Sequence, residues 1–133
     1  MQRLAALISL ALLLPGAHAA SLKEQELSRL LQQVAQQSSI GTPRAINADI
    51  LDQGYTVEGT ELINHLSVRP AHAEQMRANP DTVRSQLASS VCSNAGYRQL
   101  LVQGAVLRYQ FSEFKSNRPV ASERFSAADC QAQ

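Results

Sequence analysis

Two cysteines, Cys92 and Cys130, are all that the chain contains, so only one intrachain bridge is open to it. That bridge would enclose the strongest strand signal of the sequence, residues 105–112 (AVLRYQFS). Whether the two thiols pair or stay reduced and buried depends on the redox compartment. The compartment is legible at the N-terminus.

Arg3 is followed by an apolar run over residues 4–14, then Pro15-Gly16 and Ala17-His18-Ala19. A basic start, a short apolar core and an A-x-A site predict a secretory signal peptide over residues 1–19, too short for a permanent transmembrane helix. Residues 20–133 are then expected to form one α+β domain, exported to the periplasm or secreted. In that compartment the Cys92–Cys130 bridge is the expected state. After cleavage no apolar run approaches the roughly 20 residues of a membrane span, so no stable membrane insertion is expected.

The chain has 12 Lys plus Arg against 11 Asp plus Glu. Loss of Arg3 with the leader leaves the two signs balanced. This excludes the basic footprint of a nucleic-acid binder and of a protein held on anionic lipid.

The mature sequence opens with Ser21-Leu22-Lys23-Glu24, the spacing of a capping box. Leu27, Leu30, Leu31 and Val34 then recur on one helical face, and Gly41 and Pro43 end the helix. Residues 50–57 and 62–68 read as strands of a hairpin turning at Glu58-Gly59-Thr60. A short helix is predicted over residues 71–78. A second begins at Asn79-Pro80, with Asn79 as N-cap, and runs to about Cys92 with Val83, Leu87 and Val91 on one face. Residues 97–103 are predicted as a further helix, closed by Gly104. Residues 106–112 and 119–125 form a second hairpin around the polar turn 113–118. The expected fold is a four-stranded antiparallel sheet made of two hairpins, with helices on one face and one disulfide. Parallel pairing is disfavoured because each strand pair has a short connection.

No nucleophile motif, phosphate loop or dinucleotide glycine pattern is present. His65 and His72 match no zinc spacing and are read as surface or half-buried residues. No metal and no cofactor are expected. Asp49, Asp52, Glu58 and Glu61 cluster around turns, where carboxylates serve solvation and capping, and only convergence in a pocket would make them an acid and base pair. Arg98, Arg108 and Arg124 are a candidate positive strip over the last two strands, open to an acidic partner. No catalytic residue is assigned. The expected function is protein binding, through a sheet edge or a helix-facing groove. The alternatives are a small enzyme using the turn carboxylates and an inhibitor of a periplasmic enzyme.

The frame of Cys92, Tyr97-Arg98-Gln99-Leu100-Leu101, Gly104, Tyr109-Gln110-Phe111 and Asp129-Cys130 resembles a small family of exported Pseudomonas-type proteins, the quorum-sensing-regulated virulence factors. Pro43-Arg44-Ala45-Ile46-Asn47, followed by a strand hairpin, is similar to that family too. The likeness spans most of residues 21–130. It implies an α+β fold, a secretory signal, a virulence-associated role and no defined activity or site residues. The order of elements is also similar to that of the pilotins of type II secretion, periplasmic helpers that bind a helical segment of the outer-membrane secretin. Lipidated pilotins carry a cysteine at the cleavage site, and here there is none.

Overall fold

A computed structural model describes residues 21–131. The expected signal segment and its cleavage site lie outside the described residues. The chain forms α1 (Leu22–Ser38), β1 (Arg44–Ala45), β2 (Ile50–Glu58), β3 (Glu61–Val68), α2 (Pro70–Ala78), α3 (Pro80–Ser93), α4 (Ala95–Val102), β4 (Val106–Glu113), β5 (Pro119–Phe125) and α5 (Ala127–Gln131). Helix α1 starts where the capping box places it, with Ser21 Oγ accepting from the Glu24 N–H at 3.1 Å.

The sheet has five strands in the order β1-β2-β3-β4-β5, and it is mixed. β3 and β4 run parallel, with Leu62 opposite Leu107 and Leu66 opposite Phe111, while the other pairs are antiparallel. This corrects the expected four-stranded antiparallel sheet. The short turns constrain each hairpin internally but not how the hairpins join. Residues 69–105, folded into three helices, are long enough for the crossover that parallel neighbours require. The added strand β1 is only two exposed residues long and carries no periodicity to read.

Strand alternation then sorts the side chains. Leu62, Leu66, Val68, Leu107 and Phe111 face the helices. There Leu27 and Leu31 of α1, Val91 of α3 and Leu100 and Leu101 of α4 meet Phe125 in one cluster, while Ala73 and Met76 of α2 close a second. The opposite face carries Thr56, His65, Arg108, Gln110 and Ser122. Even there Ile63 is 1% exposed, because β3 is the central strand.

Cys92 at the end of α3 and Cys130 in α5 are joined, with Cα atoms 5.3 Å apart. On the other side, β2 bulges between Asp52 and Gly54. Gly54 sits at φ +102°, and a Cβ there would come within 3.1 Å of the Ser39 and Thr42 hydroxyls. A side chain at this position would push the C-terminal end of α1 off the strand.

Candidate interaction surface

The four turn carboxylates fall in three places, with only Glu58 and Glu61 together, on Arg108. Asp52 is buried at 4% exposure. It accepts from the Gly54 N–H and from Asn64 Nδ2, both at 2.9 Å, and pairs with Arg44 at 3.4 Å, so it fixes the bulge. Glu61 lies on the open sheet face between Arg124 at 2.8 Å and Arg108 at 3.4 Å, with Glu58 at 3.9 Å from the same Arg108. Asp49 is at the far end of β2, exposed and 4.0 Å from His72 Nδ1. At about 3.3 Å per residue, the extended chain through β2 holds Asp49 about 30 Å from Glu58. Carboxylates that far apart cannot act on one bond.

His65 hydrogen-bonds Thr56 Oγ1 through Nε2 at 2.6 Å. Burial, helped by the Arg108 charge and opposed by Glu58, lowers its pKa below the ordinary histidine value. Among the described residues no three His, Cys, Asp or Glu side chains gather as metal ligands. The expected arginine strip is only partly assembled. Arg108 and Arg124 are opposite one another on β4 and β5, but Arg98 is on α4. Glu61 and Glu58 together balance the two that do meet.

A tyrosine cluster lies under the helices. Tyr55 Oη is 3.4 Å from Tyr97 Oη, and Tyr109 stacks on Phe111 and meets Phe125 edge-on, with centroids at 6.4 and 6.2 Å. Burial pushes the Tyr109 phenol up to about 12. Burial, reinforced by the hydrogen bond with Tyr97, raises Tyr55 still further. The fold therefore favours the neutral phenols. The stability this confers is complete below about pH 10, the unfolded value, and is lost as pH rises through the folded values. In an absorbance titration at 295 nm, Tyr109 of the folded protein should ionise near pH 12, with Tyr55 later still. Chain unfolded in urea should ionise near pH 10, and equal midpoints for the two states would refute the cluster.

Side chains cover part of each sheet edge. On β5, Arg77 of α2 donates to the Pro119 carbonyl at 2.9 Å and Arg84 of α3 to that of Arg124 at 3.3 Å. On β2, Ser39 Oγ accepts from the Tyr55 N–H at 2.8 Å and donates to its carbonyl at 3.5 Å. Strand addition would have to displace these groups.

A concavity lined by residues of three segments lies at the C-terminal end of β3. It is a cavity of about 250 Å³ lined by Ala45, Ile50, Leu51, Ser67, Arg69 and Phe114, among others. The loop between β1 and β2 forms one wall. It is held by Asn47 Oδ1, which accepts from the N–H groups of Asp49 and Ile50 at 2.8 and 3.0 Å, and by the Ile46 N–H donating to the Ile50 carbonyl at 2.9 Å. Phe114 forms the other wall, seated by its N–H on the Val68 carbonyl at 2.7 Å. Ile46 is 56% and Phe114 41% exposed. On the helix side, a shallower depression of about 180 Å³ is lined by Arg98, Leu101, Val102, Ala127 and Cys130.

The sequence reading missed the first cavity, because its walls come from three separated segments. The available signal was Phe114, an aromatic residue inside an otherwise polar turn.

Residues 20–131 match a family model described as "Putative quorum-sensing-regulated virulence factor". Among solved structures, a "putative secreted protein" of Pseudomonas aeruginosa is 70% identical, with a TM-score of 0.82 over 84% of this chain and 99% of that one. A pilotin of the Vibrio vulnificus type 2 secretion system shares the fold at 20% identity and a TM-score of 0.71, over 84% of this chain and 97% of its own. The type II secretion pilotin of Vibrio cholerae does so at 19% and 0.65, over 81% and 95%. No curated protein matches the sequence significantly.

Proposed function

The chain belongs to the quorum-sensing-regulated virulence factor family, and from that premise we propose that it acts as an exported protein-binding module without catalytic activity. It is exported, to the periplasm or beyond, and among the described residues no helix is long and apolar enough to cross a membrane. We assign residues 1–19 to a cleaved signal and residues 20–133 to a single domain. The observation that carries the reading is the cavity between the β1–β2 loop and Phe114, where Phe114 stands 41% exposed beside Ile50 and Leu51. Exposed apolar surface around a pocket favours association. The separation of Asp49 and Asp52 from Glu58 and Glu61, and the pairing of the latter two with Arg108, support binding over acid and base catalysis.

A narrower reading, a pilotin-like helper of a secretion system, is favoured by the fold shared with the two pilotins. It rests on architecture alone. Its mark would be a secretin among the captured partners.

The test is crosslinking and affinity capture from the native envelope or culture fluid, using exported protein whose intact mass lacks residues 1–19. A specific protein should be recovered, chelator should not release it, and Phe114→Ala should weaken the contact about tenfold or more, as for an interface anchor. Turnover of a small substrate abolished by Asp49→Ala, with no protein captured, would replace this reading with the enzymatic one.

A further inference from the structure

The charges around the Phe114 cavity narrow the partner. Arg44, Arg77, Arg84, Arg108 and Arg124 are all committed to internal ion pairs. Among the described residues, Lys23, Arg29, Arg69, Arg98, Lys115 and Arg118 form no ion pair, and three of these, Arg69, Lys115 and Arg118, belong to this end of the sheet. Arg69 lines the cavity. The Lys115 ammonium lies 5.9 Å from the centroid of the Phe114 ring, and Arg118 closes the same turn, its carbonyl accepting from the Glu113 N–H at 2.8 Å. The opposing charge on the rim is Asp49, 4.0 Å from His72 Nδ1, one carboxylate against three cations. A molecule whose mature charge is balanced therefore keeps a local cationic excess around this apolar pocket.

The size of the cavity is also informative. At about 250 Å³ it falls below the roughly 300–1,000 Å³ of a small-molecule site, yet it suits an inserted anchor side chain. Its apolar groups line a hollow, whereas a membrane-docking surface presents them on a ridge. We infer that the cavity receives one large apolar side chain of a protein segment in which carboxylates flank that residue, Arg69 and Lys115 pairing with those carboxylates. This inference rests on the binding-module reading and assigns the chemistry of its partner.

A random 12-residue peptide library displayed on phage, selected on the immobilised, disulfide-intact exported protein, tests it. Enriched sequences should place Asp or Glu within about two positions of a Leu, Ile or Phe. Synthetic copies should bind about tenfold more weakly to Phe114→Ala and about fivefold more weakly to Arg69→Glu, an exposed change that leaves the core intact. Their binding should also weaken several-fold between about 50 and 300 mM salt, as screened charge pairs do. Amide resonances of residues 45–50, Arg69 and Phe114 should shift on binding. Absence of enrichment, or enriched sequences that are neutral or basic, overturns the inference. Peptides that bind both variants as well as the parent protein overturn it too, while leaving the module reading in place. Binding to phosphatidylglycerol vesicles that Phe114→Ala abolishes would assign the surface to lipid instead. The module reading fails separately, if envelope capture returns no partner.

Discussion

Replacing Cys92 and Cys130 together with serine is expected to lower the unfolding free energy by about 4 kcal/mol. The two residues are 38 apart in sequence, and closing a loop of that size removes about this much chain entropy from the unfolded ensemble. The folded state loses little in comparison, since both cysteines are only partly buried. Against the 5–15 kcal/mol typical of a domain, the loss is large. The double replacement avoids leaving one free thiol to pair between molecules. Urea denaturation of the parent and the variant measures the difference. A change under about 1 kcal/mol would mean that the bridge is not what closes α5 onto α3.

A change of similar size is expected from Phe125→Ala, for a different reason. Phe125 is fully buried at the end of β5, opposite Leu107. Its ring meets Tyr109 edge-on and lies under the Arg84 guanidinium at 4.7 Å. Truncation leaves a cavity in the main cluster and costs about 3–5 kcal/mol. Arg84 would still hold Glu123 and Asp129 at 2.8 and 3.2 Å, so the loss should come from the core and be nearly independent of salt. Phe125→Leu, which refills part of the space, should cost less. If thermal or urea unfolding shows a loss below about 2 kcal/mol for the alanine variant, the helices close over the vacancy and the core is looser than its burial implies.

What could be read from the sequence was local. The leucine period and Ser21 define α1, and Gly59, at φ +59°, marks the first hairpin. Asn79-Pro80 divides α2 from α3 as expected, but Asn79 does not cap α3. Its side chain donates to the Gln75 carbonyl at 2.9 Å instead, because the preceding helix offers an acceptor nearby. The parallel pairing of β3 with β4 was not legible, since it depends on how three helices pack between the two hairpins. The same holds for the interaction surface: Ala45, Ser67 and Phe114 are far apart in sequence and line one cavity only once β1, β3 and β4 share one sheet.

The parallel joint also sets a timetable. A chain delivered from its N-terminus brings out β3 well before β4, with residues 69–105 in between. Until β4 arrives, β3 has one open flank, even though Leu62, Ile63, Leu66 and Val68 make it apolar on both faces. An unpaired apolar strand invites association with other chains. The unfinished domain is therefore most prone to association while β3 waits for β4, and Cys130, which follows β5, can be oxidised to Cys92 only when that interval has passed.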